Sequence, residues 1–160
     1  MKNKKNDHRP YRPCVGMMLI NRHKRVFVAK RIDTQDSQWQ MPQGGIEDGE
    51  TPVEAAFREL NEEIGTNSVE LIAECPDWVS YDLPCHISEK VWQGRYRGQK
   101  QKWFAFRFLG IDSDINIRTR NPEFSDWRWA EAQQLQKLII PFKKDVYERV
   151  IRIFQPLLVD

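Results

Sequence analysis

Apolar residues fall along the chain in short, well-separated runs. Val15–Ile20 is continuously apolar, too short to cross a bilayer, and reads as a strand buried on both faces. Aromatic and β-branched content predicts further strands over Arg25–Lys30, Val69–Glu74, Trp78–Tyr81, Trp103–Leu109 and Trp127–Ala130. Two segments instead carry the helical period. One is Pro52–Ile64; the other runs from about Phe142 to Phe154, with Phe142, Val146, Val150 and Phe154 four apart. Strand and helix signals thus alternate, which predicts a mixed α/β domain with a sheet flanked by helices.

The first helix is bounded by strong signals. Thr51 and Glu54 form a capping box, Pro52 takes the first helical position, and Gly65 stands just past the end. With Glu59 set at zero, Val53, Ala56, Phe57, Leu60 and Ile64 fall between roughly 60° and 160° and predict one buried stripe. Glu62 at about −60° and Glu63 at about +40° join Glu59 on the bordering face, with the small Ala55 between them. Like charges three or four apart cost roughly 0.2–0.5 kcal/mol per pair. Glu62 and Glu63 also occupy the last turn, where the helix dipole favours a cation. Glu54 and Arg58 are spaced to pair, yet no base in the helix can neutralise all three carboxylates, whereas a divalent cation would. Hard oxygen ligands favour magnesium or manganese.

Charge distribution strengthens this reading. Between Gly44 and Glu63 seven acids face one base, Arg58, leaving −6 there and +8 in the rest of a chain whose net charge is +2. An acidic centre in a basic surround suits a cation at the middle and an anionic ligand around it, against the alternative of a solvated acidic helix. A chain of 160 residues, 40% hydrophobic, can close one core unaided. Residues 1–10 are expected to form a flexible basic tail without a secretory signal, and 11–160 the domain. Cys14, Cys75 and Cys85 show neither zinc nor disulfide spacing, so a reducing cytoplasm is the expected location. No membrane segment and no protein partner can be inferred, and His8, His23 and His86 have no ligand spacing.

Ahead of the helix lies Met41-Pro-Gln-Gly-Gly-Ile46, a loop whose glycines let backbone approach a ligand closely. Gly44, five residues, Glu50, seven residues and Arg58-Glu-Leu-Asn-Glu-Glu-Ile-Gly65 together resemble the Nudix box. The resemblance implies an α/β/α sandwich with Glu59, Glu62 and Glu63 as metal ligands and the Gly44 carbonyl as a further one. It implies that Arg58 holds loop and carboxylates in place, and that water attacks phosphorus with Glu59 or Glu63 as base. Thr66 stands where the box usually ends in an aliphatic residue.

From Tyr11 onward the chain is also similar to the bacterial RNA pyrophosphohydrolases, relatives of the dinucleoside polyphosphate hydrolases. The similarity is carried by Tyr11–Gly16, Trp39–Gly45, Gly98–Phe104, Pro122–Trp129 and Phe142–Tyr147. It implies that Glu123 is an additional metal ligand. Arg12, Arg31, Gln99 and Lys143 would contact phosphate or the first nucleotides, and Tyr81 and Phe142 the bases. Phe142 also fits the apolar spacing of its helix, so a core role is the alternative. The implied substrates are 5′-triphosphorylated RNA, dinucleoside polyphosphates or both; a non-catalytic RNA or nucleotide sensor is the reading the intact carboxylates oppose.

Overall fold

The computed structural model describes residues 7–32 and 38–159. Its strands are β1 (Tyr11–Ile20), β2 (Val26–Arg31), β3 (Gln43–Gly45), β4 (Val69–Glu74), β5 (Val79–Asp82), β6 (Gly98–Phe108) and β7 (Phe124–Ala130). Helices are α1 (Pro52–Ile64), the single turns α2 (Cys85–Ser88) and α3 (Leu135–Leu138), and α4 (Lys144–Leu158). All seven strands join one mixed sheet. Its spine runs β4-β6-β1-β2-β7, with β3 paired to β1 and β5 to β6. Only the β1–β6 pair is parallel, in register from Tyr11 opposite Gly98 to Ile20 opposite Arg107.

Both faces of β1 are covered, which explains its unbroken apolar run. Val15, Met17 and Leu19 pack with Ala56, Leu60 and Ile64 of α1. Met18 and Ile20 face the opposite core, with Trp103, Tyr147, Val150 and Phe154. Gly16 is required by this packing, because a Cβ there would collide with the Trp103 indole.

The sheet opens at one end. Pairing between β1 and β2 is confined to Ile20 opposite Val26. Lower down, the chain from Gln40 to Gly45 enters between them, bonding Ala29 through Gln40 and Met17 through Pro42 at 2.8–2.9 Å. It is pinned from α4 as well, where the Tyr147 hydroxyl accepts from the Met41 amide at 2.7 Å. The glycine-rich loop of the sequence is therefore partly a strand, β3, whose residues pair with Cys14–Gly16.

Helix α1 has the limits its caps predict. The Thr51 side chain accepts from the Glu54 amide, and Gly65 is left-handed at φ 70°. Its buried face differs from expectation. Ala55, Ala56, Leu60, Glu63 and Ile64 are buried, while Phe57 is 42% exposed and meets Phe106 edge-on. The interface is rotated toward the carboxylates, and Glu63 lies near its middle. The expected Glu54–Arg58 pair does not form either, because Glu54 accepts from the Thr51 hydroxyl and Arg58 turns to Glu50.

At the C-terminus, Phe142 belongs to a 3-10 turn (Pro141–Lys143) that precedes α4, and α4 continues to Leu158. Of the expected tail, residues 1–6 lie outside the described residues. Residues 7–10 are tied to the domain: the Arg97 guanidinium donates to the Asp7 carbonyl at 2.8 Å and the Arg97 amide to the Pro10 carbonyl at 3.1 Å. Among the described residues no helix is long and apolar enough to cross a membrane.

Candidate functional site

A cavity of about 500 Å³ opens where β1 and β2 diverge. Gly44, Glu59 and Glu123 are among its lining residues, as are Arg12, Arg31, Tyr81, Gln99, Phe142 and Lys143. Six residues that the sequence suggested for substrate contact are thus brought to a single cavity.

Arg58 builds the acidic side. Its Nε and Nη2 fork onto the Glu50 carboxylate at 2.7 and 2.9 Å. Nη2 also donates to the Gly45 carbonyl at 2.9 Å, and Nη1 to Glu59 at 2.9 Å and Glu62 at 3.3 Å. One planar guanidinium therefore locks the β3 loop against α1, a geometry that a lysine cannot supply. Gly44 is needed beside it, because a Cβ there would fall on the Glu59 carboxylate.

The carboxylates occupy unequal environments. Glu62 is exposed, with 57% of its side chain accessible. Glu59 is mostly buried, and burial pushes its carboxyl up to about 7 against the opposing pull of Arg58, with Glu62 and Glu123 adding to the rise. Glu63 is 4% exposed, and both its oxygens are buried with no hydrogen-bond donor among the described residues. Burial raises its carboxyl well above the usual range, and the neighbouring Glu123 and Glu59 carboxylates raise it further. A buried carboxylate without a donor costs several kcal/mol if ionised, so it either holds a proton or faces a cation. The orphaned oxygens fit a metal ion. Among the described residues no three acidic, histidine or cysteine side chains converge tightly enough to enclose one.

Basic and amide side chains also line the cavity. Arg12 packs over the Trp92 indole at 4.9 Å. Lys143 is buried, which lowers its ammonium to about 8, with Arg31 lowering it further; its Nζ lies 3.4 Å from Gln43 Oε1. The Gln101 amide donates to Gln99 at 2.8 Å and to Gln43 at 3.2 Å, and Gln101 in turn accepts from the Trp103 indole at 3.0 Å. Tyr81 and Phe142 stack on each other, centroids 6.0 Å apart. Tyr81 is buried and Phe142 partly buried against the α4-side core. Phe142 is therefore a packed ring that also lines the cavity. Gln43, Gln101 and Trp92 escaped the sequence reading. For Gln101 a polar side chain buried in a strand would have been the signal, but strand burial is not visible before the fold.

The NUDIX domain model matches residues 10–150, nearly the whole chain. The chain belongs to the Nudix family. Among its relatives, the RNA pyrophosphohydrolase of Rickettsia bellii (strain OSU 85-389) is 54% identical over 149 residues, covering 93% of this chain and 92% of that protein. The RNA pyrophosphohydrolase of Rickettsia typhi (strain ATCC VR-144 / Wilmington) is 53% identical over 160 residues, covering 99% of each. The E. coli dihydroneopterin triphosphate pyrophosphohydrolase shares the fold at a TM-score of 0.68 and 22% identity, covering 90% of this chain and 99% of that one. The expected sheet flanked by helices is thus the architecture of a Nudix hydrolase.

Proposed function

We propose that this Nudix hydrolase removes pyrophosphate from the 5′ end of triphosphorylated RNA. The observation that carries the reading is the cavity itself, which Arg12, Arg31 and Lys143 line together with Gly44, Glu59 and Glu123. The RNA pyrophosphohydrolases of Rickettsia, about half identical over most of their length, support it. Hydrolysis of dinucleoside polyphosphates is the second reading, favoured by the same cavity, since a polyphosphate flanked by a base would use the same walls.

In this mechanism Arg12, Arg31 and Lys143 hold the polyphosphate through charge-assisted hydrogen bonds, and the Gln43 and Gln99 amides orient it. Glu59 lines the cavity, so its carboxylate takes the proton of the attacking water. The water oxygen bonds to phosphorus, the anhydride bond breaks, and pyrophosphate leaves with the bond's electron pair. Burial raises this carboxyl in the metal-free protein, toward the range suited to proton transfer at neutral pH. Glu63, Glu59 and Glu123, with the Gly44 carbonyl, would hold magnesium or manganese, while exposed Glu62 would act from the rim. When bound, the ion neutralises phosphate charge and polarises the anhydride. Cys14, Cys75 and Cys85, none of them in a disulfide among the described residues, suit a reducing cytoplasm, where such RNA ends arise.

The test is a side-by-side assay of triphosphorylated RNA and diadenosine tetraphosphate with magnesium. The expected products are pyrophosphate and monophosphorylated RNA. Cleavage of the dinucleotide alone would overturn the RNA reading and leave the second.

A further inference from the structure

The turn at Val91–Gly94 borders the cavity, yet the proposed reaction does not use it. Trp92 (φ 49°, ψ 35°) and Gln93 (φ 59°, ψ 26°) are both left-handed, and Gly94 follows at φ 70°. Two consecutive non-glycine residues adopt this region only when their surroundings hold them there. Arg9 supplies the hold. Its guanidinium donates to the Gly94 carbonyl at 3.1 Å, the Ser88 carbonyl at 3.4 Å and the Ser88 hydroxyl at 3.0 Å. Asp7 fixes that guanidinium in place at 2.7 Å.

The strained turn delivers an indole to Arg12, whose guanidinium carbon lies 4.9 Å from the Trp92 ring centroid. The same guanidinium packs so closely on Gly45 that a Cβ there would strike it. Its hydrogen bond among the described residues goes to the Cys14 thiol at 3.4 Å. A carboxylate would orient this arginine by neutralising it and occupying its donors. An aromatic face orients a cation while leaving both charge and N–H groups for a ligand.

We propose that Trp92 is a positioning residue, holding the Arg12 guanidinium in the cavity with its charge uncompensated, and that the Asp7–Arg9 pair keeps Trp92 in place. This rests on the reading that Arg12 grips substrate phosphate. The substitution that isolates the ring is Trp92→Gly, because glycine accepts a φ of 49° without strain and preserves the turn.

The experiment is a double-mutant cycle of Trp92 and Arg12 in the full chain, with kcat and KM measured on a triphosphorylated oligoribonucleotide. Trp92→Gly is expected to raise KM about three- to thirtyfold, the range of a cation–π contact, with kcat within about twofold. Trp92→Phe should recover most of the loss, and Arg9→Ala should follow Trp92→Gly at smaller size. In an Arg12→Ala background, Trp92→Gly and Arg9→Ala should add nothing further. Additive KM effects on top of a raised KM in Arg12→Ala would overturn the positioning role alone. An unchanged KM in Arg12→Ala would overturn the phosphate grip and this inference with it.

Discussion

Apart from Glu123, the acidic side of the cavity comes from one stretch of chain, Gly44 to Glu63, whereas the basic side is gathered from β1, β2, β5, β6 and the turn before α4. The first is held by one arginine, Arg58, bonded to Glu50, Glu59, Glu62 and Gly45. The second is held by sheet register, with Arg12 opposite Gln99 and Gln99 opposite Tyr81. On the proposed reading, one arginine sets the geometry of the acidic side, while several strands set that of the basic side. The two walls should accordingly fail in different ways.

The largest effect belongs to the acidic wall. Glu59→Gln or Glu63→Gln is expected to lower turnover by about 10²- to 10⁴-fold, with melting temperature unchanged or raised, since like-charge repulsion is relieved. Excess chelator should abolish activity outright. Hydrolysis at near wild-type rates in chelator, or in the triple variant with Glu59, Glu62 and Glu63 all changed to Gln, would break the comparison at its root. Arg58→Ala comes next. It strands Glu50 and Glu59, whose side chains are 13% and 12% exposed, and should cost about 2–3 kcal/mol of stability together with most activity. Arg58→Lys should rescue little, and full rescue would show that charge alone suffices.

On the basic wall, Lys143→Ala should raise KM about tenfold and flatten its salt dependence. Its ammonium is lowered to about 8 by burial and by Arg31, so positive charge is lost as pH rises through that value. The kcat/KM profile should therefore fall above pH 8 in the wild type and stay level in Lys143→Arg. A smaller effect concerns the metal-free protein. Because the folded-state carboxyl of Glu59 lies near 7, above the ordinary value of 4.5, the fold binds more protons than the unfolded chain between those values. Its stability contribution is fully present below about 4.5 and is lost as pH rises through 7. The melting temperature of chelated protein should drop by a few degrees across that window, and less in Glu59→Gln. A flat profile would place Glu59 in water.

The same contrast explains what could be read from the chain. The limits of helix α1 are predicted to the residue because its caps are local, and Glu59 and Arg58 come with it. Strand β6 is predicted from Trp103 but begins at Gly98. Its first half, Gly98-Gln-Lys-Gln-Lys102, has buried glutamines where the strand period requires apolar side chains, because that half faces the cavity. The pattern fails where the site is. Phe57 and Ala55 exchange their expected environments because α1 docks on its Glu63 side, a choice set by β1 and not by the helix. Trp92 was invisible because left-handed backbone at a non-glycine residue has no signature in sequence.

The most direct test is the steady-state kinetics of Glu63→Gln and Lys143→Ala on triphosphorylated RNA with magnesium, resolving kcat from KM. Two separately built walls predict that Glu63→Gln loses kcat by orders of magnitude with KM near wild type. Lys143→Ala should keep kcat within a few-fold and raise KM. Equal losses of kcat in both folded variants, or a KM effect confined to Glu63→Gln, would contradict the division between cutting and holding.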